Sequence, residues 1–119
     1  MAKFKNIGLK IALRYIRSLT DAGIRIKKAY LYGSYAREAA TKDSDIDIAI
    51  VSPDFTGDRF NDAILLKKFR INVDYRIEPL PLKPEDFIDS DPIVSEILSY
   101  AIPISVHTGR RSYKAQDDP

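Results

Sequence analysis

The chain has 119 residues, 45% of them apolar and 30% charged, with a net charge of +2. That length and balance describe an ordinary globular domain with enough core to stand without staples, and so small a net charge argues against wholesale nucleic-acid binding. There is no cysteine, which excludes disulfides and thiolate metal sites and suits a reducing cytosol, and one histidine, His107, which argues against a zinc centre or a His-based triad.

Residues 4–22 read as an amphipathic helix. Phe4, Ile7, Ile11, Tyr15 and Leu19 recur at helical spacing, Ala12 and Ile16 widen the stripe, and Gly23 closes it. Its lysines and arginines are a solvated face, or a surface for an anionic ligand or acidic partner. Ile26 to Tyr32 is predicted as a strand ending at Gly33. A short helix opens at Ser34 and runs to Ala39 or Ala40, and Thr41 to Ser44 makes a polar turn. From Asp45 to Val51 the residues alternate: Ile46, Ile48 and Ile50 on one face, Asp45, Asp47 and Ala49 on the other.

Ser52-Pro53 ends that strand. A helix is expected over 58–70, packing through Phe60, Ala63, Ile64, Leu66 (or Leu65) and Phe69. Ile71 to Ile77 is predicted as a third strand, with Asn72, Asp74 and Arg76 opposite its apolar side. The prolines of 78–84 exclude a central strand there. Glu85 to Ile88 suggests a helical turn. Asp91-Pro92 caps a last helix to about Tyr100, and Ile102 to Val106 is a short strand placed at an edge by Pro103. The expected organisation is one domain over 1–106, a two-layer α/β or α+β plan around a mixed sheet, with 107–119 as a flexible tail. No run approaches the roughly 20 apolar residues of a membrane span, and the start lacks a signal peptide's apolar region. A cytoplasmic protein is expected.

The chemistry gathers in "GSYAREAATKDSDIDIAI", residues 33–50. Asp45 and Asp47 face the same way on a strand, with Cα atoms about 6.5–7 Å apart. Such a pair is either a solvated edge or the start of a site. Asp74, on a neighbouring strand, would make three convergent carboxylates, which repel without a counter-charge. Magnesium, which takes oxygen ligands and phosphates, resolves that repulsion. Two such ions can clamp an in-line displacement at phosphorus. Gly33 lets backbone approach a ligand, and Ser34 offers a hydroxyl beside free N–H groups.

These residues resemble the Gly-Ser, ten-residue gap, Asp-x-Asp signature of the DNA polymerase beta-like nucleotidyltransferase superfamily, and within it the small minimal nucleotidyltransferases. The resemblance covers about residues 26–106 and implies that superfamily's fold, a mixed sheet with helices mainly on one face. It implies transfer of a nucleoside monophosphate, AMP from ATP, to a hydroxyl, with Mg2+ in a two-metal site. By position, Gly33, Ser34 and Arg37 would hold the triphosphate, and Asp45, Asp47 and Asp74 would be catalytic and ligate the metals. Arg37 is equally readable as a salt-bridge partner for a neighbouring aspartate. Glu38 departs from the glycine usual in that group, which bears on the loop's backbone and on charge near the triphosphate. Minimal nucleotidyltransferases pair with helical HEPN-type proteins as antitoxin and toxin, so a HEPN-type partner and a homodimer are expected alongside a nucleoside triphosphate. The competing reading is a non-catalytic nucleotide-binding or antitoxin subunit that acts by binding its partner. A small-molecule transferase and a DNA polymerase fit less well, since no acceptor or template domain is visible.

Overall fold

A mixed four-stranded sheet organises the chain. In this computed structural model residues 2–106 are described, with side chains from Phe4 onward; the tail expected over 107–119 lies outside the described residues. In chain order the elements are α1 (Ala2–Asp21), β1 (Lys28–Tyr32), α2 (Gly33–Ala36), β2 (Ile46–Val51), α3 (Arg59–Lys68), β3 (Ile77–Leu82), a 3-10 turn (Pro84–Asp86), α4 (Pro92–Tyr100) and β4 (Ile102–Pro103). The strand order is β3-β2-β1-β4. β1 pairs antiparallel with β2 and β4, and β2 pairs parallel with β3.

The alternation of β2 decides the layers. Ile46, Ile48 and Ile50 enter one core with Leu31, Ile77, Leu66 of α3, Tyr35 of α2 and the α1 stripe of Ile11, Ala12, Tyr15, Ile16 and Leu19. Ala49 and Val51 point the other way and meet Val94 and Ile97 of α4. Three helices therefore cover one face and α4 the other. Each fully buried large aliphatic side chain contributes about 1.5–3 kcal/mol. Within α1, the buried stripe includes Gly8 in place of the expected Ile7, which is 36% exposed. A side chain at Gly8 would run into Tyr35, so the close approach of α1 to α2 requires the small residue. Among the described residues no helix is long and apolar enough to cross a membrane.

Two expectations for residues 58–84 need correction. The packing face of α3 is formed by Asp62 and Leu66, with Phe69 packed beyond its end as expected, whereas Phe60 is 75% exposed and Ile64 and Leu65 are also exposed. The reason is polar. The Asp62 carboxylate accepts hydrogen bonds from the backbone N–H groups of Thr56 and Gly57 and from the Thr56 hydroxyl, and this fixes the rotation of the helix. The third strand lies at 77–82, not 71–77, and residues 71–76 form turns. Pro79 and Pro81 are tolerated because β3 is an edge strand. The Ile46 N–H donates to the Arg76 carbonyl and the Ser52 N–H to the Leu82 carbonyl. In that register the even-numbered residues of β3 carry the ladder, and the proline nitrogens face the open edge.

α4 begins as its sequence implies. The Asp91 carboxylate accepts from the N–H groups of Ile93 and Val94, with Pro92 at the first helical position. Pro103 sits on the opposite edge strand, β4.

Candidate active site

The site is built where three strands present one row. Tyr32 of β1 is in register with Asp47 of β2, and Asp47 with Glu78 of β3. Asp47 is half-buried. Burial first, then the carboxylates of Asp45 and Glu78, push its pKa up to about 6. Burial, with Asp47 and then Tyr100 nearby, raises the Tyr32 hydroxyl well above its ordinary range. Asp45 stands exposed just before β2, at the end of a turn closed by the Thr41 N–H donating to Ser44 Oγ at 2.8 Å.

Gly33 follows β1 and turns the chain back over Asp47. Its φ of 71° lies in the left-handed region, and a Cβ there would collide with the Asp47 carboxylate. Glycine meets both demands without strain. Tyr35, in the turn of helix that follows, is fully buried and anchors it. The helix is shorter than expected because Glu38 stops it with a φ of 59°. The Ala39 N–H donates to the Ser34 carbonyl at 2.9 Å, the long bond of a Schellman ending, whose left-handed position glycine ordinarily fills. Glu38 keeps that backbone without glycine, at a cost of about 1–2 kcal/mol. Its carboxylate lies 3.7 Å from Lys5 Nζ.

A cavity of about 350 Å³ opens beside this turn, lined by Tyr32, Gly33, Ser34, Arg37, Glu96 and Tyr100 among others. The Gly33 N–H donates to the Tyr100 hydroxyl at 2.9 Å. Arg37 lies over the Tyr100 ring, 4.0 Å from its centre, and donates to Glu96 at 3.1 Å. The salt bridge of Arg37 is therefore to a glutamate of α4, not to a neighbouring aspartate.

Gly33, Ser34 and Arg37 thus line one cavity, and the backbone of Gly33 also lies against the Asp47 carboxylate. Asp74 is not brought to this row. It sits in the turn after α3, where both its oxygens accept from the Arg76 guanidinium, at 3.0 and 2.8 Å. This pairing holds its carboxyl below the usual carboxylate range. Arg76 also donates to the Tyr35 hydroxyl and the Lys42 carbonyl. Asp74 therefore orients the arginine that ties the turn after α3 to α2 and to the turn before Asp45. The carboxylate in register with Asp47 is Glu78, flanked by Lys67 at 3.3 Å and Arg70 at 3.8 Å. Its place in the sequence, Ile-Glu-Pro-Leu-Pro-Leu, carries a usable signal. Both prolines fall on one phase of a period-2 pattern, as an edge strand permits, and Glu78 falls on the other. Tyr32, Glu96 and Tyr100 gave no local signal, because each is brought in by a distant element.

Among the described residues no three His, Cys, Asp or Glu side chains stand close enough to hold a metal ion by themselves. Magnesium does not require that. It is commonly held by one or two carboxylates, its remaining positions filled by phosphate and water. Asp45 and Asp47 are hard oxygen donors of that kind, and burial, with the Asp45 and Glu78 carboxylates nearby, raises the pKa of Asp47.

Comparison with known proteins bears on the fold and the family. No curated protein is significantly similar in sequence. The fold is similar to that of a candidate nucleotidyltransferase from Sulfolobus solfataricus, with a TM-score of 0.61 at 17% identity over 85% of this chain and 82% of that one. It is also similar to a chain from a toxin–antitoxin structure with AMP-PNP, with a TM-score of 0.52 at 19% identity over 77% of this chain and 70% of that one. Identities this low speak to fold alone. The nucleotidyltransferase domain family, however, matches residues 9–104, which take in both strand ends of the site, the Gly33-Ser34 turn and α4, and the chain belongs to that family of enzymes.

Proposed function

We propose that this chain transfers AMP from ATP to a protein hydroxyl, with Mg2+ held by Asp45 and Asp47. The observation that carries the reading is the seating of the Gly33 turn directly on the Asp47 carboxylate. This seating joins a turn suited to phosphates to a carboxylate pair suited to a hard cation. Magnesium, when bound, would screen the charge of the triphosphate and of the leaving pyrophosphate. The chain's own residues do the rest. Gly33, Ser34 and Arg37 hold and orient the triphosphate. The acceptor oxygen forms a bond to the α-phosphorus, the bond from that phosphorus to the bridging oxygen breaks, and pyrophosphate leaves. The acceptor's proton passes to a carboxylate of the Asp45, Asp47 and Glu78 group or to water.

Glu78 takes the third-carboxylate role in this reading, since it is in register with Asp47 and Asp74 is committed to Arg76. The acceptor is a partner protein, a helical HEPN-type toxin for which this chain is the antitoxin. The similarity of fold to a chain from a toxin–antitoxin structure supports a protein partner. A second reading, a subunit acting by binding alone, has one observation in its favour: Phe60, Ile71 and Tyr75 are 75–80% exposed, and large exposed apolar side chains mark contact surfaces when they cluster.

The two readings separate in an assay with α-phosphate-labelled ATP, magnesium and a cell extract as the source of acceptors. Transfer predicts label on protein, lost in Asp45→Asn and on chelation of magnesium. Glu78→Gln is expected to reduce labelling at least tenfold. Asp74→Asn is expected to leave labelling within about threefold but to lower stability at pH 7 by about 1–3 kcal/mol through loss of its charged hydrogen bonds. The sign follows from linkage. A lowered carboxyl pKa stabilises the fold above the unfolded value, and that contribution is lost as pH falls through the folded value. The difference between Asp74→Asn and the parent should therefore disappear in acid. Equal labelling from γ-labelled ATP, or full labelling in Asp45→Asn, would overturn transfer of AMP.

A further inference from the structure

The phosphate-binding turn is already occupied from within the chain. The Gly33 N–H, in the turn that lies against Asp47, is bonded to the Tyr100 hydroxyl. The Arg37 guanidinium lies on the Tyr100 ring and is paired with Glu96. Both partners belong to α4, and Tyr100 is its last residue. One short segment thus engages a backbone donor and a cation on the side of the site assigned to the triphosphate.

We propose that Tyr100 and Glu96 form a displaceable cover on the phosphate site. The Tyr100 hydroxyl and the Glu96 carboxylate stand in for phosphate oxygens in the free protein, and the polyphosphate of the nucleotide takes Gly33 and Arg37 from them. This inference rests on the nucleotidyltransferase reading of the site.

The surroundings suit such a cover. The Arg37–Glu96 pair is exposed on both sides, at 53% and 62%, so it is weak and easily exchanged. α4 is anchored by Val94 and Ile97, which are fully buried, so the helix can stay in place while the side chain of its last residue moves. The cover also favours ligands by chemistry. A polyphosphate gives the Gly33 N–H a charged acceptor in place of a neutral phenol, and gives Arg37 a more highly charged partner than a single carboxylate. Adenosine, with no phosphate, replaces neither.

Calorimetric titration with inorganic tripolyphosphate, MgATP and adenosine tests the idea on the parent chain, Tyr100→Phe and Glu96→Gln. Tyr100→Phe keeps the ring under Arg37 and removes only the hydroxyl. It is expected to bind tripolyphosphate and MgATP about threefold to tenfold more tightly, the size of one neutral hydrogen bond no longer broken on binding. Glu96→Gln should bind them about twofold to fivefold more tightly, and neither substitution should alter adenosine binding. A purely structural Tyr100 would lower the melting temperature with affinity unchanged or weakened for all three ligands, and that result overturns the cover. If the parent binds MgATP while both variants bind it equally or less well, the cover fails and the nucleotide reading stands. If neither the parent nor either variant binds tripolyphosphate or MgATP, the nucleotide reading fails and the cover with it.

Discussion

Replacing Asp47 by asparagine is expected to abolish transfer and, at the same time, to stabilise the metal-free protein. The two effects have one cause. Asp47 is half-buried beside Asp45 and Glu78, and its pKa is pushed up to about 6. A carboxyl whose folded pKa lies above its unfolded value favours the fold in its protonated form. The stability it permits is greatest below the unfolded pKa and declines as pH rises through the folded one. At pH 7.5 the charged carboxylate therefore costs the free protein stability, about 1–2 kcal/mol once solvent screening of a half-exposed group is allowed for. Asparagine has nearly the same shape and no charge. The melting temperature of Asp47→Asn should exceed that of the parent by about 3–8 °C at pH 7.5, and the gap should close towards pH 4. Transfer should fall about 100-fold or more, since a neutral amide cannot hold the cation that screens the leaving pyrophosphate. Thermal melts across that pH range and the labelling assay measure the two effects. A less stable Asp47→Asn at pH 7.5 would contradict the electrostatic account of the site.

Gly33→Ala is expected to be the most damaging small substitution in the site. The backbone there has a φ of 71°, which costs an L-residue about 1–2 kcal/mol, and the new methyl group would be driven into the Asp47 carboxylate. Tyr35, buried two residues later, holds the turn in place, so it is the Asp47 carboxylate that must give way. A loss of about 2–4 kcal/mol is expected, with a fall in melting temperature of about 6 °C or more. The double substitution Gly33→Ala with Asp47→Gly removes the colliding atoms and should recover part of that loss while remaining inactive. Recovery measured in a double-mutant cycle identifies the contact. Additive losses would place the damage elsewhere.

Much of the fold was legible because its signals are local. The stripe of α1, the Asp91-Pro92 cap and the alternation of residues 46–50 each depend on neighbours a few positions away, and the structure follows them closely. Two places where reading failed are those where a distant partner decides. Ile71, Val73 and Tyr75 alternate like a strand, yet the turn is held by Asp74 and Arg76, and Arg76 reaches back to Tyr35 and Lys42. The real strand carries two prolines, which exclude a central position, and an edge position with the right register admits them. α3 is turned by Asp62, whose loop partners lie before the helix, so Phe60 and Ile64 are left outside. The candidate site divides in the same way. The Gly33-Ser34 turn and the Asp45–Asp47 pair were visible as a spacing in the chain. Glu78 was hidden by the misplaced strand, and Tyr100 with Glu96 by the packing of α4.

The central claim is that Asp45, Asp47 and the Gly33 turn form one magnesium-dependent nucleotide site. The most direct measurement is the melting temperature with ATP, with magnesium and with both, for the parent chain and for Asp45→Asn/Asp47→Asn. A ligand that binds only the folded state at 100 times its dissociation constant adds about 2.7 kcal/mol. The parent should therefore melt about 8 °C or more higher when ATP and magnesium are present together, with little effect of either alone. The double variant should show no such joint effect. An equal shift with ATP in the absence of magnesium, a shift retained by the double variant, or no shift at all would contradict the claim.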